Sequence, residues 1–167
     1  MRSRTLSVFF ALLALACSPE LDWRELKSSD GDFAALMPAK PRHEVRTLAG
    51  ATAVAMHLWS ARAADSVFVV GYADYPAVDA RTLDSTRDAL VKNIGGRALE
   101  EKPLAQAGLV GREIVAESGE TLLTARLLVS GARLYQVAVL GKKNAVAAAD
   151  IDLFLSSFQP LGRNPAN

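Results

Sequence analysis

The chain reads as an α+β domain, an antiparallel β-sheet covered by two main helices in an α/β/α sandwich. Three observations predict this. Short strand-like runs follow one another with turn residues between them, helical spacing interrupts the series once over residues 79–94, and it returns over 145–157. Strands in succession, rather than strict strand-helix alternation, argue against a doubly wound parallel sheet.

Trp23 to Leu26 and Phe33 to Met37 flank Ser28 to Asp32 and predict a hairpin, with Asp30 bonding locally and Gly31 accepting positive φ. Pro38 and Pro41 bar a longer ladder. His43 to Leu48 and Thr52 to Ala61 form the next pair around Gly50. In the second of these, Val54, Met56 and Leu58 alternate with Ala55, His57 and Trp59. Ser66 to Tyr75 is β-branched and aromatic, the pattern of a strand covered on both faces, and Pro76 stops it.

From Asp79 to Asn93 the period becomes helical through Leu83, Leu90 and Val91, with Ile94 next and Gly95 and Gly96 as the stop. Ala98 to Ala105, Gly111 to Ala116, Thr121 to Val129 and Arg133 to Leu140 are strands. Gly131 suits the positive φ of the last tight turn. Ala145 to Ser157 is a closing helix, docked by Ile151, Phe154, Leu155 and Phe158.

The first residues are of another kind. Arg2 and Arg4 precede an uncharged apolar run from Leu6 to Ala16, the parts of an export signal, and the run is shorter than the about 20 residues needed to span a bilayer. Residues 13–17, Leu-Ala-Leu-Ala-Cys, resemble the lipobox of bacterial lipoproteins. The resemblance implies cleavage after residue 16 and diacylglycerol on the Cys17 thiol. In many bacteria a further acyl chain, such as palmitate, goes on the new amino group. Ser18 after the cysteine implies the outer membrane if the cell is Gram-negative. Several acyl chains anchor stably where one is marginal. The expected organisation is a signal at 1–16, a lipidated cysteine and tether at 17–22, one domain at 23–160 and a flexible tail at 161–167.

Lys plus Arg number 19 and Asp plus Glu 18; with Arg2 and Arg4 in the segment to be removed, 17 basic residues face 18 acidic ones. Such a balance gives no electrostatic case for nucleic acid. One cysteine cannot form an internal disulfide.

Phe33 to Pro41 after Trp23 and Ser29 to Gly31 resembles the opening of bacterial exported lipoproteins of unassigned function. Tyr72 to Pro76, Gly108 to Glu113, Arg133 to Val137 and Phe154 to Phe158 fit the same group. The strand order is similar to the PsbP and DcrB superfamily. That resemblance implies small non-catalytic accessory factors on the far side of a membrane, and no active-site residues.

Gly141 to Asn144 lacks the upstream glycine and the hydroxyl of a phosphate loop and reads as a basic turn. Ile94 to Arg97 follows a helix, unlike a dinucleotide fingerprint. Neither Ser118 nor Ser130 sits in a nucleophile elbow. Glu100, Glu101, Glu113 and Glu117 read as a solvated face, Arg112 and Glu113 as an opposed-charge surface pair, and Asp74, Tyr75 and Pro76 as a strand end. A hairpin centred on Gly50 places His43 opposite His57, but sets Glu44 and Arg46 on the face of Met56 and Leu58. A one-residue shift puts Val45 there and separates the histidines. No third metal ligand has obvious spacing, and no cofactor is expected.

The expected function is a non-enzymatic, extracytoplasmic accessory domain, bound to a membrane through Cys17 and to an envelope protein partner. The rival expectation is a small-molecule or lipid carrier with a pocket between the sheet and the helix over 79–94.

Overall fold

The computed structural model describes residues 21–48 and 53–162. The signal segment, Cys17, Ser18, the bend at Gly50 and the last five residues of the tail lie outside them.

β1 (Arg24–Ser28) and β2 (Phe33–Met37) pair as the expected hairpin. The turn differs in detail. The positive φ of 54° falls on Asp32, and the Gly31 amide donates to Ser28 Oγ at 3.0 Å. Gly31 is needed for space, since a Cβ there would lie 2.7 Å from the Phe33 ring.

β3 (Arg42–Leu48), β4 (Val54–Ala63) and β5 (Ser66–Asp74) follow. After them come α1 (Ala80–Asn93), β6 (Arg97–Gln106), β7 (Leu109–Ser118), β8 (Thr121–Ser130) and β9 (Arg133–Lys142). α2 (Ala148–Ser157) and the two-residue β10 (Gln159–Pro160) close the chain. Seven strands form one antiparallel sheet in the order β3-β4-β5-β9-β8-β7-β6. β1 and β2 do not join it. With β10 they make a separate sheet in the order β1-β2-β10, which sequence periodicity did not predict. Pro160 is tolerated because β10 is an edge, and Ser157 Oγ accepts the Leu36 amide at 2.9 Å.

The layers follow from alternation. Phe68, Val70 and Tyr72 of β5, with Tyr135, Val137 and Val139 of β9, point to one face. There they meet Phe33, Ala35 and Met37 of β2 and Phe154, Leu155 and Phe158. The rings of Phe33, Phe68, Phe154, Phe158 and Tyr135 are fully buried, each worth about 2 kcal/mol of transfer free energy. α2 thus docks by its predicted stripe, although Phe158 lies just past the helix and residues 145–147 precede it.

The other face carries α1. Asp79 caps it, accepting the Thr82 amide at 2.9 Å. Gly95 at φ 62° ends it, with the Gly95 and Gly96 amides closing on Lys92 and Val91 carbonyls. Leu90, Val91 and Ile94 rest on Ala116, Leu123, Ala125 and Ala138, while Leu83 meets the cluster of Ile114, Leu127 and Leu134. The predicted sandwich is present, with the small sheet and α2 sharing one outer layer.

Gly131 has the expected positive φ of 60° in the β8–β9 turn. Gly71 in β5 answers a different demand, since a Cβ there would stand 2.7 Å from the His57 carbonyl oxygen.

Candidate functional site

The β3–β4 register places Val45 opposite His57 and His43 opposite Trp59, a shift of two residues from the pairing centred on Gly50. A shift of two keeps the face, so the histidines share one after all. Their rings lie 5.7 Å apart at 14°. The sequence left open whether the two histidines are adjacent, and in this register they are. Glu44 and Arg46 do lie on the side of Leu58 and Met56, where Arg46 Nη2 meets Glu44 Oε1 at 2.7 Å. An edge strand allows this, because long charged side chains lay their stems on apolar neighbours and keep their heads in water.

From the histidines a row of π faces runs inward. His43 stacks on Trp59 at 4.2 Å and His57 on Tyr72 at 4.7 Å. The Arg133 guanidinium stands 4.3 Å over the Tyr72 ring. Arg133 Nε and Nη2 grip both oxygens of Asp74 at 2.6 and 2.7 Å, and Nη1 donates to the Asp30 carbonyl at 3.0 Å. Alternation on β4, β5 and β9 sets His57 with Trp59, Tyr72 with Asp74, and Arg133 with Tyr135, all toward the small sheet. The row ends at a cleft of about 360 Å³ lined by Asp32, Asp74, Arg133, Tyr135, Pro160 and Leu161, among others. Leu161 belongs to the expected flexible tail, yet its amide donates to the Asp32 carbonyl at 2.8 Å.

Burial raises both the Tyr72 and the Tyr135 phenol above the usual range, with Arg133 opposing it, so both rings stay neutral near neutral pH. Asp74, the predicted strand end, is held by Arg133. Tyr75 turns to the α1 side, beside Ala73, Val78 and Ile114.

The glutamates are not a plain solvated face. Arg112 and Glu113 point to opposite faces and do not pair with each other. Arg112 Nη1 binds Asp84 and Glu101 at 2.6 Å, and Arg87 also binds Glu101. Glu113 accepts from Arg126 Nε at 2.7 Å and from Lys102 Nζ at 2.8 Å, on the face of α2. Hydrogen bonding from Arg87, then Arg112, holds Glu101 below the ordinary carboxyl range against burial. Burial pushes Glu113 up, but Lys102 and Arg126 together bring it below its ordinary value. Lys143 and Arg97 do the same for Glu117, Lys143 more strongly. Carboxylates held ionised in this way are poor general acids.

The basic turn after β9 is as expected, with Asn144 at φ 63° and Lys143 Nζ 2.8 Å from Glu117. Among the described residues no group of three His, Cys, Asp or Glu is placed to hold a metal ion. Trp59, Arg133 and Tyr135 were missed as site residues. Their signal was an aromatic or charged side chain at every second position of three neighbouring strands.

No protein-family model matches the chain, and no curated protein matches it. The fold itself is PsbP-like. The solution structure of cyanobacterial PsbP (CyanoP) from Synechocystis sp. PCC 6803 is similar to this chain with a TM-score of 0.57 at 11% identity, covering 83% of this chain and 92% of that one. Among the described residues no helix is long and apolar enough to cross a membrane.

Proposed function

We propose that the chain is a non-enzymatic accessory lipoprotein, held to a membrane of the cell envelope by acyl chains on Cys17, whose β3 end binds a protein partner. The observation that carries the binding reading is the aromatic row from Arg133 to His43, because it emerges at a sheet edge whose seven residues are all exposed. The charges along it are neutralised by close partners, as at Arg133 and Asp74. Such a surface offers contact area and fixed hydrogen bonds.

A benzophenone amino acid placed at position 43 tests the surface, with position 120, exposed in the β7–β8 turn, as control. On irradiation of cells, residue 43 gives an adduct of one defined mass and residue 120 gives none. Equal labelling from both positions, or none from either, removes the reading. The anchor is tested by an alkyne fatty acid, which labels the wild-type chain and fails to label Cys17→Ser.

The 360 Å³ cleft favours a second reading, a small-molecule carrier. Its lining of Asp32, Asp74 and Arg133 suits a polar ligand rather than an acyl chain. It also lies at the small sheet, not under α1 as the sequence led one to expect.

A further inference from the structure

The two edges of the seven-stranded sheet are unlike. β6 carries Pro103, and its register slips between Ala98 and Glu100. Proline, a bulge and charge are the devices by which an edge is closed to pairing. β3 is also charged, at Arg42, Glu44 and Arg46, but it has no proline, keeps unbroken register with β4 over all seven residues, and is exposed throughout. Two of the five exposed large apolar side chains among the described residues, Val45 at 54% and Leu48, lie in it.

We infer that β3 pairs antiparallel with β3 of a second copy of this chain, about a two-fold axis at Val45. The inference rests on the β3 end being the binding surface, and it names the occupant. Val45 is the midpoint of Arg42–Leu48, so this is the register that pairs the whole strand. On one face it sets Glu44 against the partner's Arg46 and Arg46 against the partner's Glu44. The two charges already meet within one strand at 2.7 Å, so the pairing completes a ring of four alternating charges. On the other face Val45 meets the partner's Val45, and His43, the end of the aromatic row, meets the partner's Thr47. A register centred on Glu44 instead sets Arg42 against the partner's Arg46, and like charges in direct opposition disfavour it. The self-complementary order of charges therefore selects both the partner and the register. Two seven-stranded sheets become one continuous sheet, and each open edge is removed.

The test uses the full chain in membranes with single cysteine substitutions and a mild oxidant, the wild-type chain with Cys17 serving as control. Val45→Cys forms a disulfide-linked species of twice the chain mass. His43→Cys and Thr47→Cys each stay single alone, but form a mixed dimer when produced together. Glu44→Arg lowers the Val45→Cys dimer about tenfold, Arg46→Glu does the same, and both changes in one chain restore it. That restoration cannot come from misfolding. A Val45→Cys chain that remains single while folded and membrane-bound overturns the inference, as does a charge swap without recovery. A benzophenone adduct from residue 43 whose mass is not twice that of the chain overturns the second copy as occupant, yet leaves the β3 end as a binding surface. No adduct of either kind from these positions overturns both.

Discussion

The Tyr135 hydroxyl donates to the Gly31 carbonyl at 2.9 Å, joining the middle of the large sheet to the β1–β2 turn across 104 residues of chain. Both the ring and the bond are buried. The ring packs against Phe33 and Phe158, so the hydroxyl sits where the two sheets and the end of α2 converge.

Tyr135→Phe keeps the ring and removes the donor. The Gly31 carbonyl then loses this buried hydrogen bond, at a cost of about 1–2 kcal/mol. The urea midpoint falls by the corresponding amount with an unchanged denaturant slope. An unaltered midpoint would mean that this bond adds nothing to the apolar contacts and the Arg133–Asp30 bond that also join the sheets.

Arg126 joins three elements, binding Glu113 at 2.7 Å, Gln106 Oε1 at 2.9 Å and Ser156 Oγ at 3.2 Å. Its side chain and that of Glu113 are each only 12% exposed. Arg126→Met leaves a largely buried carboxylate with Lys102 alone, and destabilises by about 3 kcal/mol. Adding Glu113→Leu removes the orphaned charge, and the double variant recovers much of the loss. A double-mutant cycle in chemical denaturation measures it, and strict additivity would show the pair to be uncoupled.

The periodicity of the chain disclosed β5 and both helices because each sets apolar side chains on the sheet: β5 and α2 bury theirs, and α1 lays Leu83, Leu90 and Val91 half-buried against it. Asp79 and Gly95 even marked the ends of α1. The β3 register was not legible. Its rule, charge away from apolar neighbours, holds for covered strands, while Glu44 and Arg46 lie at an edge where they reach water. The small sheet was hidden for another reason. Gln159 and Pro160 carry no pattern at two residues, and their pairing with Phe33 and Ala34 spans the whole domain. The ion pairs of Glu101 and Glu113 follow from strand register, which composition cannot supply.

Acid weakens the fold through those glutamates. The folded-state pKa values of Glu101 and Glu113 are both held below the 4.5 of an unperturbed glutamate. A depressed carboxyl contributes stability that is complete above its unfolded value and is lost as pH falls through the folded one. The urea midpoint is therefore flat above about pH 5.5 and drops below about pH 4.5. In a chain with both Glu101→Gln and Glu113→Gln the plateau is lower and the acid slope shallower. A parallel acid slope in that variant would assign the sensitivity to other groups.

Gln106 governs how α2 ends. Its Nε2 donates to the Leu155 carbonyl at 2.8 Å and to the Phe158 carbonyl at 3.0 Å, while its Oε1 accepts from Arg126. α2 has no side-chain cap at Ala147 and no basic residue in its last turn. One side chain thus serves the unpaired carbonyls that a helix leaves at its C-terminal end. Gln106→Ala removes both donors and costs about 1–2 kcal/mol. The loss is local: amide exchange accelerates in α2 and at Leu36, whose amide depends on Ser157, while Gly71 and Val137 in the middle of the large sheet keep their protection. Gln106→Glu keeps an acceptor for Arg126 but presents a carboxylate to two carbonyl oxygens, and so exchanges at least as fast. Uniform acceleration across the sheet would instead make α2 and the sheet one cooperative unit, with Gln106 no more than one contact within it.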